Sequence, residues 1–184
     1  VLEQVCIYQR EWRKKGYRPV RIAVNISPKQ FKQSDFPDKI GKILKKYEVD
    51  PKLIELEITE SSMGNMDETE GILKKLKELG VYVSVDDFGT GYSSLSYLKK
   101  YPIDIIKIDQ SFIADINKDE KNEAIIKAII SLSHHLGMDV VAEGVEEKYQ
   151  EVFLKKNRCK KGQGYLYNKP MPIEEVVHKY LEAQ

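Results

Sequence analysis

The chain has 184 residues, enough for one domain with a hydrophobic core. Its 30 basic and 29 acidic residues leave a formal net charge of +1, which argues against a nucleic-acid polymer as partner. Two cysteines and no apolar run near the ~18 residues of a membrane span predict a reduced, cytoplasmic domain without direct membrane contact.

Short apolar runs alternate with amphipathic helical stretches along the chain. Apolar residues also recur at helical spacing at the start, on a face formed by Val1, Val5, Tyr8 and Trp12. The apolar runs lie at 21–24, 53–58, 81–85, 103–108, 138–142 and, more weakly, 164–167. The helical stretches lie at 36–47, 67–79, 93–100, 119–136, 146–156 and 173–182. This alternation predicts a parallel α/β sheet in one domain.

Parallel βα units close into a (β/α)8 barrel or form an open, doubly wound sheet. No Gly-x-Gly-x-x-Gly motif follows the first apolar run, which weakens a dinucleotide-binding sheet. The residues at the ends of the runs carry more information about function.

The third apolar run is followed by two adjacent carboxylates, Asp86 and Asp87, and then by Phe88-Gly89-Thr90-Gly91. Carboxylates at a strand end hold hard cations, which prefer oxygen ligands. If Asp86 bridges two ions and Asp87 binds one of them, the pair forms a two-metal site of the kind that cleaves phosphodiesters. The alternative is an acidic turn that only caps the strand.

Each of the six runs has a chemically capable polar residue. Asn25, Asp86 and Glu143 follow the first, third and fifth runs, Glu57 and Lys107 lie near the ends of the second and fourth, and Gln163 lies at the sixth. In a parallel barrel the carboxyl ends of all strands meet on one face, so these side chains converge. The oxygen donors suit Mg²⁺ or Mn²⁺. Lys107 is expected to orient a water or offset phosphate charge, and Glu143 to act as ligand or base. Taken singly, each residue could instead cap its own strand.

Seven motifs in order, spread over nearly the whole chain, closely resemble the EAL domain of bacterial cyclic-di-GMP phosphodiesterases. They are Val24–Ser27, Glu55–Glu60, Asp86–Leu95, Ile106–Asp109, Ala142–Glu146, Gln163–Tyr165 and Pro170–Pro172. The resemblance implies a TIM-type (β/α)8 barrel that uses two Mg²⁺ or Mn²⁺ ions to hydrolyse cyclic-di-GMP to linear pGpG.

The resemblance also implies a role for each matching residue. The expected metal ligands are Asn25, Glu57, Asp86, Asp87 and Glu143. The expected catalytic residues are Lys107, which holds the attacking water, and Glu143, the candidate base. Active-site support is expected from Gln163, Glu60, Glu146 and Asp109, with Glu60 anchoring the Asp-Phe-Gly-Thr-Gly loop.

The Glu-Ala-Leu motif that names the family is not in this sequence. In the family it lies on a strand upstream of Val-Asn-Ile-Ser, and a whole barrel needs about 250 residues, about 65 more than here. We therefore expect residues 1–184 to form the C-terminal portion of an EAL domain, with six βα units and without the first two strands. The missing part would hold a metal-binding Glu and an Arg that contacts phosphate.

Such a barrel is expected to be open, or completed by a partner, and to form homo-oligomers through exposed strand edges. Its activity in isolation is expected to be weak or absent, and the parent could carry a membrane, sensor or cyclase domain upstream. The alternatives to a phosphodiesterase are a receptor that binds cyclic-di-GMP without cleaving it and a structural interaction module. The intact Asp86-Asp87 pair and its companion ligands favour the enzyme.

Overall fold

The computed structural model describes residues 1–63, 66–90 and 95–182, with the side chains of 66 and 95–97 left aside. Residues 91–94 of the predicted glycine-rich loop therefore lie outside the described part. Six strands are present: β1 Ile22–Ile26, β2 Ile54–Thr59, β3 Tyr82–Phe88, β4 Ile105–Ile108, β5 Asp139–Ala142 and β6 Lys161–Gly162.

The six strands form one parallel sheet in the order β1-β2-β3-β4-β5-β6. Strands β1 and β6 are its two edges, and within the described residues they do not pair with each other. The sheet is thus an open half-barrel, as the sequence predicts. A register shift between Val85 and Phe88 distorts β3 where the two aspartates lie.

Helices alternate with the strands along the chain. They are α1 Leu2–Lys14, α2 Pro28–Phe31, α3 Phe36–Tyr47, α4 Met66–Leu79, α5 Leu95–Lys100, α6 Gln110–Ala114, α7 Glu120–His135, α8 Lys148–Lys156 and α9 Ile173–Tyr180. Two 3₁₀ turns cover Pro51–Leu53 and Glu60–Ser62. The helices α2 and α6 and both turns were not predicted from the sequence, because segments this short cannot show a helical period. None of the helices in the described ranges is long and apolar enough to cross a membrane.

The strands separate two kinds of side chain by simple alternation. One face packs against the helices and is apolar, with Leu56, Val85 and Ile106 all fully buried. The other face is the concave inner face of the half-barrel and is polar. Its residues include Ala23, Asn25, Glu55, Glu57, Ser84, Asp86 and Lys107. The pleat of the sheet therefore places these polar side chains on one surface.

The sixth strand differs from the prediction, which placed it at 164–167. The pairing ends at Gly162, and Gly164 has φ +156°, a conformation that suits glycine. The chain turns there, because the Tyr167 N–H donates to the Gly164 carbonyl at 3.1 Å. The aromatic residues of this weak apolar run, Tyr165 and Tyr167, are exposed.

On the buried face of α1, Trp12 lies as predicted, but the other three members differ from the prediction by one position. The buried residues are Leu2, Cys6, Gln9 and Trp12, whereas Val1 is 92% exposed. Gln9 is buried because its side-chain amide donates to the Val20 carbonyl at 2.6 Å. Apolar periodicity could not find this face, since one of its members is polar.

Replacing Gly164 by Ala should destabilise the fold, because the new Cβ would meet backbone atoms of Val145 at an unfavourable φ. We expect a loss of at least about 1–3 kcal/mol in the free energy of unfolding, measured by urea denaturation. The matched change is Gly71→Ala in the middle of α4, where nothing lies within 4 Å. That variant should gain about 0.5–1 kcal/mol. Equal stability of the two variants would contradict this account.

A candidate metal centre at the carboxyl ends of the strands

The site is built around Lys107, which lies on β4 and is 4% exposed. Its Nζ contacts one carboxylate oxygen from each of three other segments. The distances are 2.8 Å to Glu57 Oε1, 3.1 Å to Asp86 Oδ1 and 2.7 Å to Glu143 Oε1. All three carboxylates are themselves largely buried. One ammonium group thus ties together β2, β3 and the segment after β5.

Strand register places these side chains. Glu57 pairs with Asn25 on β1 and with Ser84 on β3, so Asp86 follows one inner-face step further along β3. Glu143 comes directly after β5, and its backbone N–H donates to the Ile108 carbonyl at 3.1 Å. The predicted convergence of Glu57, Asp86, Lys107 and Glu143 therefore occurs.

The charges shift two pKa values at this site. Burial works against the ammonium of Lys107, but hydrogen bonds to Glu143 and Glu57 raise its pKa above the ordinary value. Burial raises the pKa of Glu143 to about 7; the Lys107 ammonium opposes this shift and the Asp86 carboxylate adds to it. Lys107 is therefore held as a cation, while Glu143 can exchange a proton near neutral pH.

A second set of oxygens faces the same space. One carboxylate oxygen from each of Asp86, Asp87 and Glu143 lies within 4.8 Å of the other two. Asp86 Oδ1 is buried and accepts no hydrogen bond of good geometry from the described residues. Burial, together with the charges of Asp86 and Asp109, raises the pKa of Asp87. A buried, underused oxygen among clustered carboxylates fits a hard divalent cation such as Mg²⁺ or Mn²⁺.

Asp87 reaches this cluster through an unusual backbone conformation. Its φ is +56°, in the left-handed region, at the irregularity of β3. Regular alternation would send the side chains of Asp86 and Asp87 to opposite faces of the sheet. The distortion allows two neighbouring residues to offer oxygens to one site.

The remaining predicted residues lie around this centre. Asn25 is exposed on edge strand β1, level with Glu57. Gln163 is exposed just after β6, and its N–H donates to the Ala142 carbonyl at 2.8 Å. Glu146 is exposed, and its N–H donates to the Gln150 side chain at 2.8 Å. No contact with Lys107 involves these three side chains within the described residues.

Glu60 and Asp109 support neighbouring segments. Glu60 begins a 3₁₀ turn after β2, so the alternation of side chains along a strand does not determine where its side chain points. Its Oε2 accepts the Gly89 N–H at 3.0 Å, which ties it to the loop after β3. Asp109 caps α6, because its Oδ1 accepts the Ser111 N–H at 2.9 Å. Neither residue belongs to the carboxylate cluster described above.

Sequence analysis missed a polar layer below the centre. Glu55 lies on the inner face two residues before Glu57 and is 9% exposed. Arg21 Nη1 is 3.8 Å from Glu55 Oε2, and its guanidinium carbon is 3.3 Å from the centroid of the Tyr82 ring. Burial raises the pKa of Glu55. Side chains two positions apart in a strand lie on the same face, so the position of Glu57 could have predicted that Glu55 also lies on the inner face.

The carboxyl ends of the strands are where enzymes with TIM-type barrels have their active sites, and the polar site of this half-barrel lies there. Comparison with known proteins narrows this class. The family model of the EAL domain matches residues 1–170, so the chain belongs to the EAL domain family. Together with the six-stranded parallel sheet, this membership confirms the predicted TIM-type α/β fold class.

Three relatives illustrate the similarity. Cyclic di-GMP phosphodiesterase NbdA of Pseudomonas aeruginosa is 40% identical over 184 residues, 98% of this chain and 24% of NbdA. The PaMucR phosphodiesterase in complex with c-di-GMP superposes with a TM-score of 0.90 at 40% identity, covering 95% of this chain and 71% of that one. Klebsiella pneumoniae BlrP1, in a complex with manganese and c-di-GMP, has a TM-score of 0.75 at 30% identity, covering 82% and 39%.

The chain spans about a quarter of the length of the curated relatives it matches. Homologues at about 40% identity are phosphodiesterases by name, so the chain belongs to a family of cyclic-di-GMP signalling proteins. BlrP1 has been solved in complexes with manganese or calcium, and in this chain Asp86, Asp87 and Glu143 form an acidic cluster that could hold a metal ion.

The raised pKa of Glu143 predicts a pH dependence of stability in the metal-free protein. The pKa is about 7 in the folded state against 4.5 without the fold, so between these values only the folded state keeps the proton. The stabilisation is complete below pH 4.5 and is lost as the pH rises through about 7. We expect a loss on the order of 2 kcal/mol, measured by denaturation with a chelator present.

The variants Glu143→Gln and Glu120→Gln test this prediction. A glutamine side chain cannot titrate, so the first variant should flatten the slope, whereas Glu120 is exposed on α7 and its replacement should leave the slope intact. Mn²⁺ should restore stability more strongly at pH 8 than at pH 6, since ligand carboxylates must be deprotonated. A slope that survives in Glu143→Gln would assign the titration to another group.

Proposed function

We propose that this chain carries the catalytic centre of a metal-dependent phosphodiesterase that hydrolyses cyclic-di-GMP to linear pGpG. The observation that supports it best is the carboxylate cluster of Asp86, Asp87 and Glu143 beside a buried Lys107. A receptor that only binds the nucleotide needs neither a buried lysine nor an underused carboxylate oxygen. The relatives named as phosphodiesterases support the same reaction.

Two divalent ions, Mg²⁺ or Mn²⁺, are the proposed cofactors. Their proposed ligands are Asn25, Glu57, Asp86, Asp87 and Glu143. When bound, such ions lower the pKa of water and neutralise charge on a phosphodiester. Asp86 is the proposed bridge because it has one oxygen toward Lys107 and lies in the cluster with Asp87.

Lys107 and Glu143 are the proposed catalytic residues. Lys107 stays protonated, and its Nζ donates hydrogen bonds to Glu143 and Glu57, while Asp86 Oδ1 lies 3.1 Å away without a well-oriented bond. One N–H donor is therefore left for a water molecule. An ammonium fixed in this way orients a water molecule at low reorganisation cost. Glu143, with a pKa near 7, is suited to accept the proton of that water.

The other assignments are proposals of the same kind. Gln163, Glu146 and Asp109 support the site from its margin, and Glu60 holds the loop after β3. We propose that residues 1–184 supply the carboxyl-side six βα units of the domain in the cytoplasm. Edge strands β1 and β6 are the proposed surfaces for completion of the barrel, by upstream residues or in a homo-oligomer.

The substitution Asp86→Asn in the full-length protein tests the metal centre. It removes one negative charge from the proposed bridge, so both ions lose a ligand of full charge. We expect the rate of cyclic-di-GMP hydrolysis with Mn²⁺ to fall by about 10²–10³, by analogy with the loss of one positioned charge. Product formation is followed by chromatography of pGpG.

The matched control for this substitution is Asp38→Asn, an identical chemical change at an exposed position of α3. It should hydrolyse cyclic-di-GMP at the original rate. Turnover of Asp86→Asn close to that of Asp38→Asn would contradict the two-metal assignment. Nucleotide binding without turnover in the unmodified protein would favour the receptor.

The substitution Glu60→Gln tests a role in the loop rather than in metal binding. Glu60 Oε2 accepts the Gly89 N–H, and the neutral amide is a weaker acceptor than a carboxylate. Turnover should fall by about fivefold, since a hydrogen bond to a charged group contributes about 1 kcal/mol more than a neutral one. The Mn²⁺ affinity, measured by calorimetry, should change less than in Asp86→Asn. A larger loss of metal affinity would place Glu60 among the ligands.

A further inference from the structure

The junction between α8 and β6 is strongly cationic. Five of the seven residues at 155–161 are Lys or Arg. This junction leads into the amino end of β6, whereas Glu143 and Gln163 follow the carboxyl ends of β5 and β6. The last turn of α7 contributes a histidine to the same surface. The basic patch is defined here as His134, Lys156, Arg158, Lys160 and Lys161.

In each of the adjacent lysine pairs at 45–46, 74–75, 99–100, 155–156 and 160–161, one member forms an ion pair within the described residues, whereas three cations of the basic patch form none. Lys46, Lys74 and Lys100 each pair with a carboxylate. Within the patch, Lys161 pairs with Asp139 at 2.6 Å. The other three cations, Lys156, Arg158 and Lys160, are exposed, and no carboxylate of the described residues lies within 4.0 Å of them.

Arg158 occupies a backbone position that favours glycine. Its φ is +68°, and it follows the last turn of α8. The Arg158 N–H donates to the Lys155 carbonyl at 3.0 Å, and the Cys159 N–H to the Leu154 carbonyl at 2.9 Å. This is the Schellman arrangement, in which the left-handed residue is usually glycine.

Three other helices follow that preference, whereas α3 is followed by Glu48 at φ +53°. Gly16, Gly80 and Gly137, with positive φ, follow α1, α4 and α7. An arginine in the left-handed region is disfavoured by sterics. Like Glu48, Arg158 therefore places a charged side chain at a backbone position that favours glycine.

Two concavities flank Arg158. One, of about 310 Å³, is bordered by α7 and the end of α8, and the other, of about 580 Å³, by the amino ends of β5 and β6. His134 and Arg158 line both. Side chains of a polypeptide enter such concavities, whereas a planar membrane surface does not. Guanidinium groups bind carboxylates in a bidentate manner.

We propose that the basic patch docks an acidic polypeptide segment, whose Asp and Glu side chains enter the concavities on either side of Arg158. Lys161 is already paired with Asp139, so the proposed docking rests on Lys156, Arg158 and Lys160. Because the patch lies at the amino ends of the strands, docking leaves the carboxyl face around Lys107 open. The proposal does not depend on phosphodiesterase activity.

The test uses the full-length protein and a fluorescein-labelled peptide of alternating glutamate and serine, followed by fluorescence anisotropy. The same peptide with glutamine in place of glutamate is the uncharged control. We expect binding of the glutamate peptide only, weakening as the salt concentration rises. Binding of both peptides alike would overturn the proposal.

The patch variant is Lys156→Gln with Arg158→Gly and Lys160→Gln. Glycine suits the backbone at 158, so the variant should fold with an unchanged or higher Tm. Its affinity for the glutamate peptide should fall by about tenfold or more, since exposed ion pairs contribute modestly and add up. The single change Arg158→Gly should account for much of this loss.

The matched control is Lys29→Gln with Lys42→Gln and Lys45→Gln. These lysines are exposed on α2 and α3, so the net charge falls equally while the patch is intact. Peptide affinity should change by less than about twofold, within the range of additivity for distant sites. If both triple variants lost the same affinity for the peptide, the net charge of the protein would explain the binding and the basic patch would not. If the protein bound phosphatidylglycerol vesicles through the patch but did not bind the peptide, the partner would be a membrane surface and the proposal would be wrong.

Discussion

The structure depends on the burial of one ammonium group, that of Lys107. Burying a lysine is unfavourable unless its charge is compensated and its donors are satisfied. Here the carboxylates of Glu57, Asp86 and Glu143, at 2.7–3.1 Å, compensate the charge, and Glu57 and Glu143 accept hydrogen bonds from the ammonium. These contacts set the spacing of four neighbouring strands at their carboxyl ends. They also hold three carboxylates closer together than their mutual repulsion would otherwise allow.

The same arrangement explains why the site is ready for cations. Lys107 offsets only part of the negative charge of the centre, and Asp86 Oδ1 is left without a well-oriented donor. Burial raises the pKa of both Glu143 and Asp87, so these acids give up protons less readily than usual. A divalent cation would relieve that electrostatic strain and supply the missing partner. Metal binding and proton release are therefore coupled at this centre.

The two ends of the strands carry residues of opposite charge. The carboxyl ends collect acids around Lys107, whereas the amino end of β6 adjoins a cationic junction centred on Arg158. Between them, Arg21, Glu55 and Tyr82 form a polar layer on the inner face. Because the length of the sheet separates the two surfaces, a partner bound at one end does not block the other end.

The sequence by itself determined the parallel α/β class, five of the six strands and the convergence of Glu57, Asp86, Lys107 and Glu143. It could do so because alternation, helical period and the position of strand ends are local properties. Only the tertiary structure decided that β6 ends at Gly162, that Gln9 is buried and that Asp87 turns toward Asp86. Each of these depends on a hydrogen bond, a distorted register or a left-handed φ, which packing selects among several locally allowed conformations.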